Sequence, residues 1–381
     1  MNPTTHFDYI IIGAGVAGLQ LALGLLSDSF FETKRILILD SHSKNKNDKT
    51  FSFWEEGKGK WESILHKEWN TAKCVSPTGK QLEFNFGNYT YKTIRSIAFY
   101  NEAFLRIENY PNVSFYQEKV LAVKNYATKV EVGTNKQVYT ASKIFDSRIA
   151  ISLEEIKKKS TYVNQSFLGY EVEMSTDVFS VNQCTMMDYS HQWKGSTSFI
   201  YILPYSKRKA LIEYTFFAPF TPTKTIFQTQ LENYISKKFK GISYNTLEIE
   251  YGEIPMTDYD FSKFNTPNII KIGTAGGWVK PSSGYSFKAT ETYVSQIIAG
   301  LKKNKLAVDK PKRFKFYDRL LLSILKHDNK IGGKLFFEMY KRPNINLLFK
   351  FLDEKTSFLE EIKLILQLPY MPFIKALVKK R

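Results

Sequence analysis

Cysteine and histidine are scarce in this chain: Cys74 and Cys184 are its only two cysteines, and five histidines are spread over 381 residues. Two thiols cannot build the multi-bridge framework of a small secreted domain. No Cys/His cluster has metal-ligand spacing, so a reducing cytoplasm and a metal-free protein are expected. With 20 glycines and 13 prolines, the chain also lacks the composition of a collagen-like or low-complexity sequence. Acidic residues are in deficit, 37 Asp and Glu against 54 Lys and Arg, which leaves a formal charge of +17. Long apolar runs are missing as well. The one extended uncharged stretch, Tyr9 to Ser27, follows Asp8 with no Lys or Arg before it and contains Gly13, Gly15, Gly18 and Gly24. That is a poor membrane span and a poor signal segment, so a soluble, unsecreted start is expected.

What is present is a chain that is 43% hydrophobic and 15% aromatic, enough for two cores or one large composite domain. Its positive charge gathers at the end: residues 301–381 carry 20 Lys and Arg against 8 Asp and Glu. Such a face suits anionic lipid or nucleic acid. No nucleic-acid reader motif accompanies it, so no nucleic-acid partner is expected.

The amino terminus is the most explicit segment. Tyr9-Ile10-Ile11-Ile12 reads as a buried parallel strand, and Gly13-Ala14-Gly15-Val16-Ala17-Gly18 fits G-x-G-x-x-G before Leu19, Leu21, Ala22, Leu25 and Leu26 continue at helical spacing. Gly13 makes the turn, Gly15 lets backbone N–H groups approach a pyrophosphate, and Gly18 lets helix pack on strand. A second strand, Arg35–Leu39, closes on Asp40, placed to accept from a ribose hydroxyl. Strand, turn, helix and acid together predict a dinucleotide site, and an acid at that position favours FAD or NAD over NADP.

Farther along, residues 98–110 read as a helix, Lys119–Val123 and Lys129–Val132 as a hairpin, and Ile144-Phe145-Asp146 as a strand returning to the first sheet. Glu154–Lys159 reads as a surface exit. Period-two alternation from Thr161 to about Tyr259, broken by a helix over Thr225–Phe239, predicts an antiparallel sheet. Ile269–Gly273 is a further buried strand and Ala289–Leu301 a helix. The fold class expected is α/β plus antiparallel β: a Rossmann-like FAD-binding domain of the glutathione-reductase/hydroxylase type with an inserted β-sheet substrate domain and a helical C-terminal part. The domains are drawn as 1–80, 93–160 and 262–305 for the nucleotide, 81–92 and 161–261 for the substrate, and 306–381 as membrane-facing helices. No flexible linker separates them, so a site between domains is expected.

These residues resemble a family. Asp8–Gly18, Asp48-Lys49-Thr50-Phe51-Ser52-Phe53-Trp54, Phe145–Arg148, Phe199–Pro204 with Ala210-Leu211-Ile212-Glu213, Gly252–Met256, Pro281–Ser286 and Leu347–Glu354 together are similar to the FAD-dependent lycopene cyclases of carotenoid-making bacteria and plants. Ser282 and Ser283 stand where the family usually has threonines, and Lys49 where it has arginine. Gly273-Thr274 replaces the glycine-aspartate of flavin hydroxylases.

The resemblance implies a redox-neutral closure of the linear end groups of lycopene to β-ionone rings, as in β-carotene synthesis. Reduced FAD is then the active cofactor, and NAD(P)H only primes it. It implies cofactor contacts at Gly13, Gly15, Val16, Ala17, Gly18, Asp40, Lys49, Thr50, Asp146, Gly273, Ser282, Ser283 and Gly284, and substrate contacts at Trp54, Tyr201, Pro204 and Phe216. Read from the residues alone, either serine could be a plain helix cap, and Phe51, Phe53 and Trp54 could be core. Glu213 lies in Ala210–Phe217, a strand otherwise apolar, aromatic or hydroxylated, and a carboxyl among such neighbours is raised in pKa and able to carry the proton to be delivered.

A C40 hydrocarbon must come from a bilayer, since each buried methylene is worth about 0.8 kcal/mol of transfer. Ser357 and Glu360 fit a capping box opening a helix over Phe358–Leu368, and Met371–Arg381 is apolar, amphipathic and basic. The uncharged run Leu364–Ile374 is too short to span. The expectation is peripheral binding to an anionic membrane on the cytoplasmic face, against the plainer reading of a docked terminal helix. The rival functions are another flavin enzyme, a hydroxylase or prenyl-chain reductase, and a non-enzymatic isoprenoid carrier.

Overall fold

In the computed structural model, which describes residues 5–305, 311–342 and 344–378, the strand Thr5–Ile12 lies inside a seven-stranded sheet. It pairs in parallel with Ile36–Asp40 on one side and Val138–Asp146 on the other. Burial on both faces is why Ile10, Ile11 and Ile12 run without a polar break. Val113–Gln117 extends the sheet in parallel, and the hairpin Val120–Asn125 with Val130–Thr134 extends it antiparallel. Ile269–Lys271 joins beside Val138–Asp146. The helices Val16–Leu26, Ser96–Glu108 and Phe287–Lys302 pack on one face through Leu25, Ala103 and Ile297.

A second seven-stranded sheet runs in the order Tyr244–Thr257, Tyr162–Met174, Lys209–Ala218, Ser198–Pro204, Gln183–Asp188, Thr71–Val75, Gln81–Asn85. All its pairings are antiparallel except Gln183–Asp188 with Thr71–Val75. Thr71–Val75, allotted from the sequence to the nucleotide part, therefore hydrogen-bonds into the second sheet. That pairing joins residues over a hundred positions apart, a relation no local pattern carries. One face of the sheet is covered by the helix Lys224–Lys238 and the other by the C-terminal helices Lys312–His327, Gly332–Lys341, Ile345–Leu352, Phe358–Gln367 and Tyr370–Val378. A three-stranded sheet of Thr50–Glu56, Tyr89–Arg95 and Lys67–Trp69 stands between the two large ones.

Two local readings take definite form in the structure. Glu154–Lys159 lies in a short helix, Leu153–Lys159, whose first turn is capped by Ser152. The uncharged run Leu364–Ile374 is broken at Pro369 between two helices, although the capping box of Ser357 and Glu360 forms as the sequence predicts. The terminal basic residues Lys379, Lys380 and Arg381 lie outside the described residues. Among the described residues, no helix is long and apolar enough to cross a membrane.

Candidate active site

Lys209–Ala218 is an interior strand, and its alternation divides its side chains between two environments. Ile212, Tyr214 and Phe216 pack toward Phe227 and Leu231 of the helix Lys224–Lys238. Glu213, Thr215 and Phe217 line a cavity of about 450 Å³. Cross-strand register puts Glu213 in one row with three other residues: Tyr201 on one neighbouring strand, and Gly169 then Glu250 on the other side. A side chain at Gly169 would meet Leu211 at 3.0 Å and the Glu213 Cβ at 3.4 Å, so the glycine keeps the space between the two carboxyl groups clear.

The walls around Glu213 are apolar or aromatic, with Trp54, Phe167, Phe199 and Phe217 among them. Burial pushes the Glu213 carboxyl up to about 8; the neighbouring Glu250 adds to the rise, and a hydrogen bond donated by the Thr215 hydroxyl opposes it. At neutral pH Glu213 therefore holds a proton beside an apolar void. Tyr201 faces the same void, and its hydroxyl is joined to that of Tyr91 at 2.6 Å, which in turn meets Tyr285 at 2.7 Å. Trp54 also lines the cavity, with its indole N–H donated to Asp353 at 2.6 Å.

At the amino-terminal turn the glycines are needed for space. A Cβ on Gly13, whose φ is +101°, would strike the Ser147 hydroxyl at 2.0 Å, and one on Gly18 would strike the Gly13 carbonyl at 1.9 Å. Gly15 has nothing within 4 Å, so open room remains where the helix Val16–Leu26 begins. Val16 and Ala17 supply the first turn of that helix, which has no side-chain cap and no acid. Its uncapped N–H groups and the free space fit a pyrophosphate. Asp40 closes its strand beside the turn, with its carboxylate accepting from the N–H of Ala14 at 2.7 Å and of His42 at 2.8 Å. Gly273, at φ +61°, lies against the same helix start: its Cβ would come within 3.0 Å of the Ala17 Cβ.

Ser282, Ser283 and Gly284 line the cavity together with Thr50. The Ser283 hydroxyl and the Gln165 carbonyl oxygen are buried with no hydrogen-bond partner among the described residues, which suits a bound polar group at that end.

Two predicted substrate contacts lie off the cavity, and two predicted cofactor contacts are tied to protein partners. Phe216 points away from the cavity, because it is one residue out of phase with Thr215 and Phe217; in a pleated strand that is the opposite face. Pro204 is likewise out of phase with Tyr201, and its carbonyl accepts from the Trp69 indole at 3.2 Å. Asp146 is already engaged: burial opposes its ionisation, but hydrogen bonds from Arg148 and Lys271 outweigh it and hold the carboxyl below the usual range. Lys49 does not line the cavity. Its segment is tied by backbone to Ser96, which opens the helix Ser96–Glu108. Sequence reasoning missed Glu250 and Tyr91, both cavity residues. No local pattern marks the first, whose strand is rich in exposed residues.

The outer part of the cavity is lined by the last two helices, through Ile365, Leu368, Phe373, Ile374 and Leu377. The same helices leave Phe358, Leu359, Leu366 and Met371 exposed.

Three solved structures share the fold, and two of them are flavoproteins by name. A geranylgeranyl bacteriochlorophyll reductase-like protein of Thermoplasma acidophilum superposes with a TM-score of 0.64 at 12% identity, over 98% of each chain. A flavoprotein/dehydrogenase of Cytophaga hutchinsonii gives 0.60 at 15% identity, again over 98% of each chain. A flavin-dependent brominase gives 0.60 at 12% identity over 99% of each chain. These likenesses establish a Rossmann-like flavoprotein fold. No curated protein matches the chain in sequence. The family profile described as lycopene cyclase protein matches residues 8–378, nearly the whole length, and the chain therefore belongs to the lycopene cyclase family.

Proposed function

We propose that this protein closes the linear end groups of lycopene, or of a closely related acyclic carotenoid, into β-ionone rings without net oxidation or reduction. The observation that carries the reading is Glu213: a carboxylic acid that keeps its proton at neutral pH on the wall of an apolar cavity. Glu213 gives that proton to the terminal double bond, leaving a tertiary cation. The next alkene attacks it to form the ring bond, and the ring cation loses a proton, so substrate and product are isomers. Water would intercept the cation, and the aromatic walls of the cavity exclude it.

FAD is the cofactor that the glycine turn suits. It would be held by Gly13 to Gly18, Asp40 and Gly273, with Thr50, Ser282, Ser283 and Gly284 where its ring end meets the substrate. When bound in its reduced form it supplies negative charge that stabilises a nearby cation, with NAD(P)H needed only to prime it. We assign the first sheet to the nucleotide and the second, with the C-terminal helices, to the carotenoid.

The carotenoid reaches the cavity from a membrane. Support for this comes from the exposed Leu359, Leu366 and Met371 on the helices that line the cavity's outer part, beside a strongly basic C-terminal region. Peripheral binding to the anionic cytoplasmic face follows. Replacing Leu359 and Leu366 with serine should then reduce co-sedimentation with anionic vesicles by about tenfold or more, since two methylenes' worth of lost insertion at about 0.8 kcal/mol each already exceeds the roughly 1.4 kcal/mol of a factor of ten. Unchanged co-sedimentation would remove the membrane assignment.

Expression in a lycopene-accumulating host tests the function. Cyclised carotenoid is the expected pigment. Saturated prenyl chains, with one NADPH consumed per bond reduced, would instead support the reductase reading suggested by the name of the Thermoplasma structure.

A further inference from the structure

Two carboxyl groups face the cavity in one cross-strand row, Glu213 and Glu250, with only Gly169 between them. They are not equivalent. Burial, the largest influence, and Asp48 hold the Glu250 carboxyl above the usual range, but it accepts the backbone N–H of Thr50 at 3.0 Å and feels the Lys49 charge, and both pull it back down. Glu213 has only the Thr215 hydroxyl. Of two like groups sharing one apolar site, the one with a backbone donor and a nearby cation ionises first, and its charge then resists ionisation of the other.

We infer that Glu250 is a positioning residue for the proton: standing ionised across Gly169, it keeps Glu213 protonated and ready to act as an acid. This rests on the cyclase reading for its purpose, but the charge relation between the two groups does not depend on it. The other titratable and charged groups around the pair are accounted for. Tyr201, Tyr205 and Tyr285 stand near Glu213 from neighbouring elements and are neutral, each held well above the usual phenol range by burial. Arg95, one row away, is engaged by Glu171 and Glu248. Tyr317, Asp318, Tyr340 and Tyr370 enter the same cavity from the C-terminal helices, and Asp318 is paired with Lys280 at 2.8 Å. Among the described residues Lys49 is thus the cation left to bias the pair, and it biases Glu250.

Residues two strands apart in one row are separated by about 10 Å at the backbone. A unit charge at that distance, through an effective dielectric of about 20, moves a neighbour's titration by roughly one pH unit. The test uses the full chain without carotenoid. The infrared band of a protonated carboxylic acid, assigned to Glu213 by its loss in Glu213→Gln, is followed against pH. In Glu250→Gln, where the amide oxygen can still accept from Thr50, the band should vanish at a pH about one unit lower than in the unaltered protein. Glu250→Asp, which keeps the charge, should restore most of the difference. A second neutral variant, Glu250→Leu, is read the same way should the glutamine variant not fold.

An unshifted titration in the neutral variants would overturn the inference, since burial alone would then hold the proton. In product formation the counterpart is an alkaline limb that moves to lower pH in Glu250→Gln, which a purely structural role would not cause. If no cyclised product forms under any condition while the infrared shift is seen, the cyclase reading fails and the carboxyl pair stands.

Discussion

On one face of Lys209–Ala218, Phe216 meets Phe227 edge to face at 5.1 Å, and Ile212 and Tyr214 complete a filled layer beneath the helix Lys224–Lys238. On the other face, the intervening residues Glu213, Thr215 and Phe217 border a cavity of about 450 Å³. The same ten-residue strand thus carries dense packing behind and a carboxylic acid in front. Burying a polar group against apolar walls is costly. The filled face supplies the rigid backing that lets the open face hold Glu213 among apolar walls. Stability and chemistry are separated by the two-residue period of a strand.

That separation can be broken from either side. The largest effect is expected from Glu213→Gln, which should lower the yield of cyclised carotenoid by about 10²- to 10⁴-fold while thermal unfolding in acid, where Glu213 carries its proton folded and unfolded alike, changes little. Retained cyclisation would remove Glu213 from its role. On the filled face, Phe216→Ala should cost about 3–5 kcal/mol in urea unfolding through the void it leaves. A comparable loss of product with no loss of stability would mean that Phe216 reaches the substrate after all.

The pH dependence of stability sharpens the comparison further. Glu213 binds its proton more tightly folded, at about 8, than at its ordinary value of 4.5. Between those values the folded state holds more protons than the unfolded one, so its contribution to stability falls as pH rises and is fully lost above about 8. The loss should be a few kcal/mol by linkage, and should be missing in Glu213→Gln. Equal pH profiles for the two proteins would contradict the burial of a neutral acid. The smallest effect belongs to Tyr201→Phe, which takes one partner from the Tyr91 hydroxyl but leaves Tyr285 in place. About 1 kcal/mol of stability is expected to go.

Much of the first sheet was legible in the sequence, because its signals are local. A buried strand, a glycine turn and a helix follow one another within Thr5–Leu26, and the capping box from Ser357 to Glu360 spans four residues. Glu213 was legible for a related reason: it is a lone carboxyl in an apolar strand. Which neighbours share its face was not. Ala210 to Ala218 is buried throughout, so no polar alternation marks the cavity side, and Phe216 was chosen where Phe217 lies. Glu250 was hidden by the opposite circumstance. Its strand, Tyr244–Thr257, is at the edge of the sheet and rich in exposed residues, so a glutamate there reads as a solvated charge. Only the register across Gly169 brings it beside Glu213, and register between distant strands is a tertiary fact.

In the proposed cyclisation a protein acid starts the reaction and no hydride enters the product. Cyclisation run in heavy water, with the cofactor reduced beforehand, tests it directly. A single solvent deuterium on each new ring, at the carbon next to the quaternary centre, with no further reductant consumed, is the predicted result. Rings free of solvent deuterium, or reductant consumed in step with product, would contradict it.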